Sequence, residues 1–141
     1  MDPATRQPLV NEYWSRMDPT YRDGDGAESF GEFWDRAHAF LVDAAGRSGF
    51  GLVFTHEQFI RAVLMAVRDP GAEPSAGLMR EFLEMRRELP IANGEVVRLR
   101  WKGGRWWVGG FSTFRLQESS RARLASRGQL RRCSRSGDST A

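Results

Sequence analysis

The chain has 141 residues, of which 40% are hydrophobic and 28% charged, enough for one domain with a real core and incompatible with disorder throughout. No apolar stretch approaches the roughly 20 residues that cross a bilayer, and the amino terminus lacks a basic stretch followed by an apolar one. The formal net charge of +3 is uneven: six arginines against Asp138 give residues 119–141 a charge of +5, which leaves −2 for the rest.

The chain opens as a loop, with Pro8, Pro19 and a turn cluster from Asp23 to Gly26. Ser29, with Glu32 three residues later, has the form of a capping box. Behind it Phe30, Phe33, Trp34, Ala37, Leu41 and Ala44 recur at helical spacing, which predicts a helix to about Ala45 that packs on a sheet. His38 lies inside that helix, between Ala37 and Ala39.

Next comes GLVFTHEQFIRAVLMAV, residues 51–67. Leu52, Val53 and Phe54, entered through Gly49 and Gly51, read as a short strand. Phe59, Ile60, Val63, Leu64 and Val67 form one apolar helical stripe. Between the two, Thr55 and Gln58 read as a second capping box, which puts His56 at the first helical position. Free N–H groups and the positive end of the helix dipole converge there, so His56 reads as part of an anion site, with phosphate the natural guest. Arg61, on the same helix, reads as a solvated arginine.

A third helix is expected to start near Ser75, to carry Leu78, Met79, Phe82 and Leu83, and to end before Pro90. Asn93-Gly94 reads as a turn, followed by strands over 95–101 and 105–111 that pair around Lys102 to Gly104. Trp101, Trp106 and Trp107 are expected to cover the sheet edge or pack on a helix rather than form a stacking platform. Met65, Met79 and Met85 read as packing residues. Residues 1–116 then form the domain, and residues 117–141 an Arg/Ser-rich tail expected to be disordered. That tail has the charge to meet a polyanion but no interleaved aromatics to stack bases, so nucleic acid is not an expected partner.

Two histidines and Cys133, far apart, have no metal-ligand spacing, and no glycine-rich loop opens a helix. Neither a metal nor a cofactor is therefore expected. The single cysteine excludes an internal disulfide and fits a reducing, cytoplasmic setting.

Three stretches, GDGAESFGEFWDRAHAFL (24–41), GLVFTHEQFIRAVL (51–64) and LPIANGEVVRLRW (89–101), give the chain a resemblance to the histidine phosphatase superfamily, the phosphoglycerate-mutase-like proteins. The resemblance extends from residue 7 to about residue 110. It implies a three-layer α/β/α sandwich and phosphomonoester phosphoryl transfer through a phosphohistidine. His56 then matches the second histidine of that family, which contacts the transferring phosphoryl group beside Thr55 and Glu57, and Glu28 matches a glutamate near the phosphate pocket. The family nucleophile sits in an Arg-His-Gly motif at the end of the first strand, and this sequence contains no Arg-His-Gly. Neither His38 nor Glu12 is expected to replace the missing groups.

The resemblance thus covers the carboxyl-terminal part of such a domain, a sandwich lacking the strand that carries the nucleophile. Catalytic incompleteness is expected, together with an exposed apolar edge at Leu52–Phe54 and self-association through it. Two classes of function follow. One is a phosphoryl-transfer enzyme, hydrolase by analogy, acting on a phosphomonoester; the other is a non-catalytic phosphate-binding or interaction module.

Overall fold

The computed structural model describes residues 2–113. In chain order these form α1 (Pro3–Arg16), α2 (Phe30–Ala45), α3 (Glu57–Arg68), α4 (Ala76–Glu88), β1 (Glu95–Lys102) and β2 (Arg105–Thr113). The result is a small α/β assembly of four helices and one antiparallel hairpin. The tail at 117–141, and with it the expected domain boundary, lies outside the described residues.

The middle of the chain follows its apolar spacing. Ser29 caps α2 through a complete box: its side chain accepts from the Glu32 N–H, and the Glu32 carboxylate accepts from the Ser29 N–H at 2.9 Å. Ser75 caps α4 in the same way, its hydroxyl accepting from the Leu78 N–H at 3.1 Å. Phe30, Trp34, Ala37 and Leu41 of α2, Phe59, Ala62, Val63, Met65 and Ala66 of α3, and Leu78, Met79 and Phe82 of α4 make one buried cluster. The Trp34 indole N–H donates to the Ala72 carbonyl at 2.9 Å, so this large ring is buried without an unpaired donor.

Helix α3 is the centre of the assembly. It contacts α2, α4 and β2, and every residue from Arg61 to Ala66 is buried. A helix buried nearly all round needs more than one apolar stripe, and here Ala62, Met65 and Ala66 extend the expected stripe of Phe59, Val63 and Leu64. The main partner of α2 is therefore α3 and not a sheet, while Leu99 and Trp106 of the hairpin pack against the helical core.

Two expectations are corrected. The opening loop is helix α1, with Pro3 in its first turn and Pro8 inside it. Its pattern is weakly amphipathic, and what holds it is tertiary: Trp14 stacks on Phe82 at 5.7 Å and packs edge-on to Phe30, while Gln7–Asn11 and Glu12–Arg16 pair one turn apart. Second, Leu52–Phe54 belong to no strand. A strand exists only where a neighbour takes its backbone groups, and the sheet among the described residues consists of β1 and β2 alone.

The hairpin forms as its sequence predicts, with Trp101 opposite Trp106 and Lys102 opposite Arg105 across the Gly103-Gly104 turn. Both turn glycines have positive φ, 62° and 76°, the geometry a two-residue hairpin turn requires. Gly94, with φ 76°, likewise turns the chain into β1.

Candidate functional site

His56 is the N-cap of α3, one position earlier than the spacing predicts, and its backbone is still extended at φ −96°, ψ 154°. The expected Thr55–Gln58 box does not form, because the Gln58 side chain accepts from the Arg61 guanidinium at 3.1 Å. No side chain caps α3. The His56 carbonyl accepts from the N–H groups of Phe59 and Ile60, at 3.0 and 3.1 Å. The N–H groups of Glu57 and Gln58 thus face outward without an acceptor among the described residues. Thr55, His56 and Glu57 are all exposed, so imidazole, hydroxyl and free amides are open to a solute at the positive end of a helix dipole.

Arg61 overturns the solvated reading. It is 1% exposed, with Nη1 on Gln58 Oε1 and Nη2 on the Leu89 carbonyl, both at 3.1 Å. Nε has no partner, and the Glu57 carboxylate lies 3.6 Å from Nη1. An arginine one turn into a helix leans back toward its N-terminus, so this guanidinium sits beneath the first turn of α3 and adds a fixed positive charge to the dipole. A signal was present in the sequence: Arg61 lies among Ile60, Ala62 and Val63, one turn after an acid.

Glu28 lies just before the Ser29 cap and is engaged. Its two carboxylate oxygens accept from Arg36 Nε and Nη2 at 2.7 and 2.8 Å. The Arg36 guanidinium in turn covers the Phe59 ring at 4.7 Å, which brings the pair against the first turn of α3. His38 stays apart, in the middle of α2, edge-on to Trp34 at 5.1 Å with Nε2 buried and unpartnered. Glu12 pairs with Arg16 on the exposed side of α1.

The depression lined by Arg68, Glu81, Glu84, Met85, Glu88 and Leu89 involves the carboxyl-terminal end of α3, away from His56, and its three glutamates oppose a phosphate. Among the described residues no group of three His, Cys, Asp or Glu side chains is placed to hold a metal ion. None of the described helices is long and apolar enough to cross a membrane.

The family model of the histidine phosphatase superfamily (branch 1) matches residues 2–112. The chain belongs to this superfamily. The match covers all four helices, β1 and all but the last residue of β2, and includes Glu28, Thr55, His56 and Glu57. Neither the curated proteins nor the solved structures contain a significant match.

Proposed function

We propose that this histidine phosphatase superfamily member takes part in hydrolytic phosphoryl transfer from a phosphomonoester, with His56 as the residue that contacts the phosphoryl group. The observation that carries the reading is the uncapped head of α3: an exposed imidazole at the N-cap and two free backbone N–H groups, above a buried arginine. Such an arrangement stabilises charge on equatorial phosphoryl oxygens without reorganising when that charge grows. Glu57 serves through its N–H, since its carboxylate is of the wrong sign and lies toward Arg61.

The covalent route also needs a nucleophile and an acid for the leaving oxygen. The 141 residues contain no Arg-His-Gly, and the one other histidine, His38, is committed to the α2 packing. The chain therefore contributes half of a site. In this reading Leu52–Phe54, in no strand here, becomes one only when it pairs with the segment of another polypeptide that brings the nucleophile, completing an α/β/α sandwich. The exposure of Phe50, Leu52, Val53 and Phe54, at 89, 68, 61 and 92%, supports that picture.

Hydrolysis of an aryl phosphate by the purified chain, beside His56→Ala, tests the proposal, with binding of inorganic phosphate followed in parallel. Phosphate binding that disappears in His56→Ala, with no turnover, is expected. Turnover lost on the same substitution would show that a nucleophile is present after all. Phosphate binding unaffected by the substitution would remove His56 from the site.

A further inference from the structure

The hairpin register divides its side chains into two unlike faces. Leu99, Trp101, Trp106 and Val108 share one face, and it is from here that Leu99 and Trp106 reach the helical core. Arg98, Arg100, Lys102, Arg105 and Trp107 share the other: Lys102 pairs with Arg105, Arg100 with Trp107, and Arg98, at the irregularity between Val97 and Leu99, has its side chain beside Gly109, two residues beyond Trp107. All five are exposed. None of the four cations has an acidic partner within salt-bridge distance among the described residues, although six such pairs form elsewhere.

This concentration of charge is not the chain average. Residues 96–141 hold eleven arginines and lysines against two acids, a charge of +9, which leaves −6 for residues 1–95. Residues 96–110 contribute four cations and no acid. Trp107 stands among them with one ring face occupied: the Arg105 guanidinium lies 4.1 Å from its centroid, and its indole N–H donates to the Lys102 carbonyl at 3.4 Å. The ring is thus fixed, 48% exposed, and flanked by cations.

We infer that this face binds single-stranded nucleic acid. Cations at alternate positions of a strand recur about every 6.6 Å, a step that an extended sugar-phosphate backbone can follow, and the open side of Trp107 offers a surface on which a base can stack. An acidic peptide would use the charges and leave the indole idle. With four cations on this face, binding is steeply dependent on salt. Beyond Phe114 the chain supplies further arginines and no aromatic ring, so stacking is assigned to Trp107 of the hairpin.

The test is fluorescence anisotropy of a labelled oligothymidylate with the full chain, over a salt series. Arg98→Gln/Arg100→Gln/Lys102→Gln should weaken binding at least tenfold at low salt and reduce the logarithmic salt slope by about 2. Trp107→Leu should weaken binding roughly fivefold to a hundredfold and leave the slope unchanged. Circular dichroism confirms that both variants fold, and since all four side chains face solvent this is the expected result. Binding by both variants equal to that of the unaltered chain would assign the affinity to the tail and overturn the inference. Competition by poly-glutamate as effective as that by unlabelled oligonucleotide would overturn it in favour of an acidic protein partner.

Discussion

The Arg61 guanidinium donates to the Leu89 carbonyl at 3.1 Å, so a buried cation in α3 ties the first turn of that helix to the segment that leads into β1. The same side chain holds Gln58. Helix head and hairpin entry are therefore joined by one residue that no apolar side chain can replace.

Removing it has a defined cost. Arg61→Ala leaves the Leu89 carbonyl without its donor and opens a cavity, and should cost about 2–4 kcal/mol. Arg61→Met keeps much of the methylene packing, loses the two hydrogen bonds, and should cost about 1–3 kcal/mol. Urea unfolding checks both; a loss within error for Arg61→Ala would show that the bonds to Gln58 and Leu89 contribute nothing.

The cap of α2 gives the stability a pH dependence. Hydrogen bonding from the Ser29 backbone, then from its side chain, and the charge of Arg22 hold the Glu32 carboxyl below its ordinary value. Asp18 is held low as well, by the Thr20 hydroxyl and N–H. A folded-state pKa below the unfolded one gives stability that is complete above the unfolded value and lost as the pH falls through the depressed one. Ser29→Ala should cost about 1 kcal/mol near neutrality. Glu32→Gln should flatten the acid side of the profile, which thermal melts between about pH 7 and pH 3 would show.

The sequence made α2, α4 and the hairpin legible because each carries its own local signal: Ser29 with Glu32, Ser75 ahead of an apolar repeat, and two glycines between alternating strands. Helix α1 carried no such signal, since Pro8 argues locally for a loop and the packing of Trp14 on Phe82 joins residues far apart in the chain. The sequence sets His56 one position too far into α3, because Gln58 serves either a Thr55 box or Arg61 and only burial of Arg61 decides between them. For Leu52–Phe54 the apolar pattern predicts a strand that does not form, because a strand is a relation between two segments and the described residues supply no second one.

His56 is a poor cap in a place where a better one would stabilise. Its side chain accepts no bond from α3, so His56→Asn should raise the unfolding free energy by about 0.5–1 kcal/mol. His56→Asp should gain at least as much at low salt from the helix dipole. On the proposed role of His56, inorganic phosphate should raise the melting temperature of the unaltered chain but not that of either variant, Asp least of all because it repels the anion. Gains in stability with phosphate protection intact would separate His56 from anion binding.

Phe50 and Phe54 should matter to association and not to folding. At 89 and 92% exposure they contribute almost nothing to the core, so Phe50→Ser/Phe54→Ser should change the unfolding free energy by no more than about 0.5 kcal/mol. Their loss removes the largest apolar groups of a segment with no charge between Gly49 and Thr55 to discourage pairing with a second copy. Sedimentation velocity over a concentration series should show the unaltered chain self-associating and the double variant monomeric. If both sediment as monomers at every concentration, the exposed segment does not pair with itself.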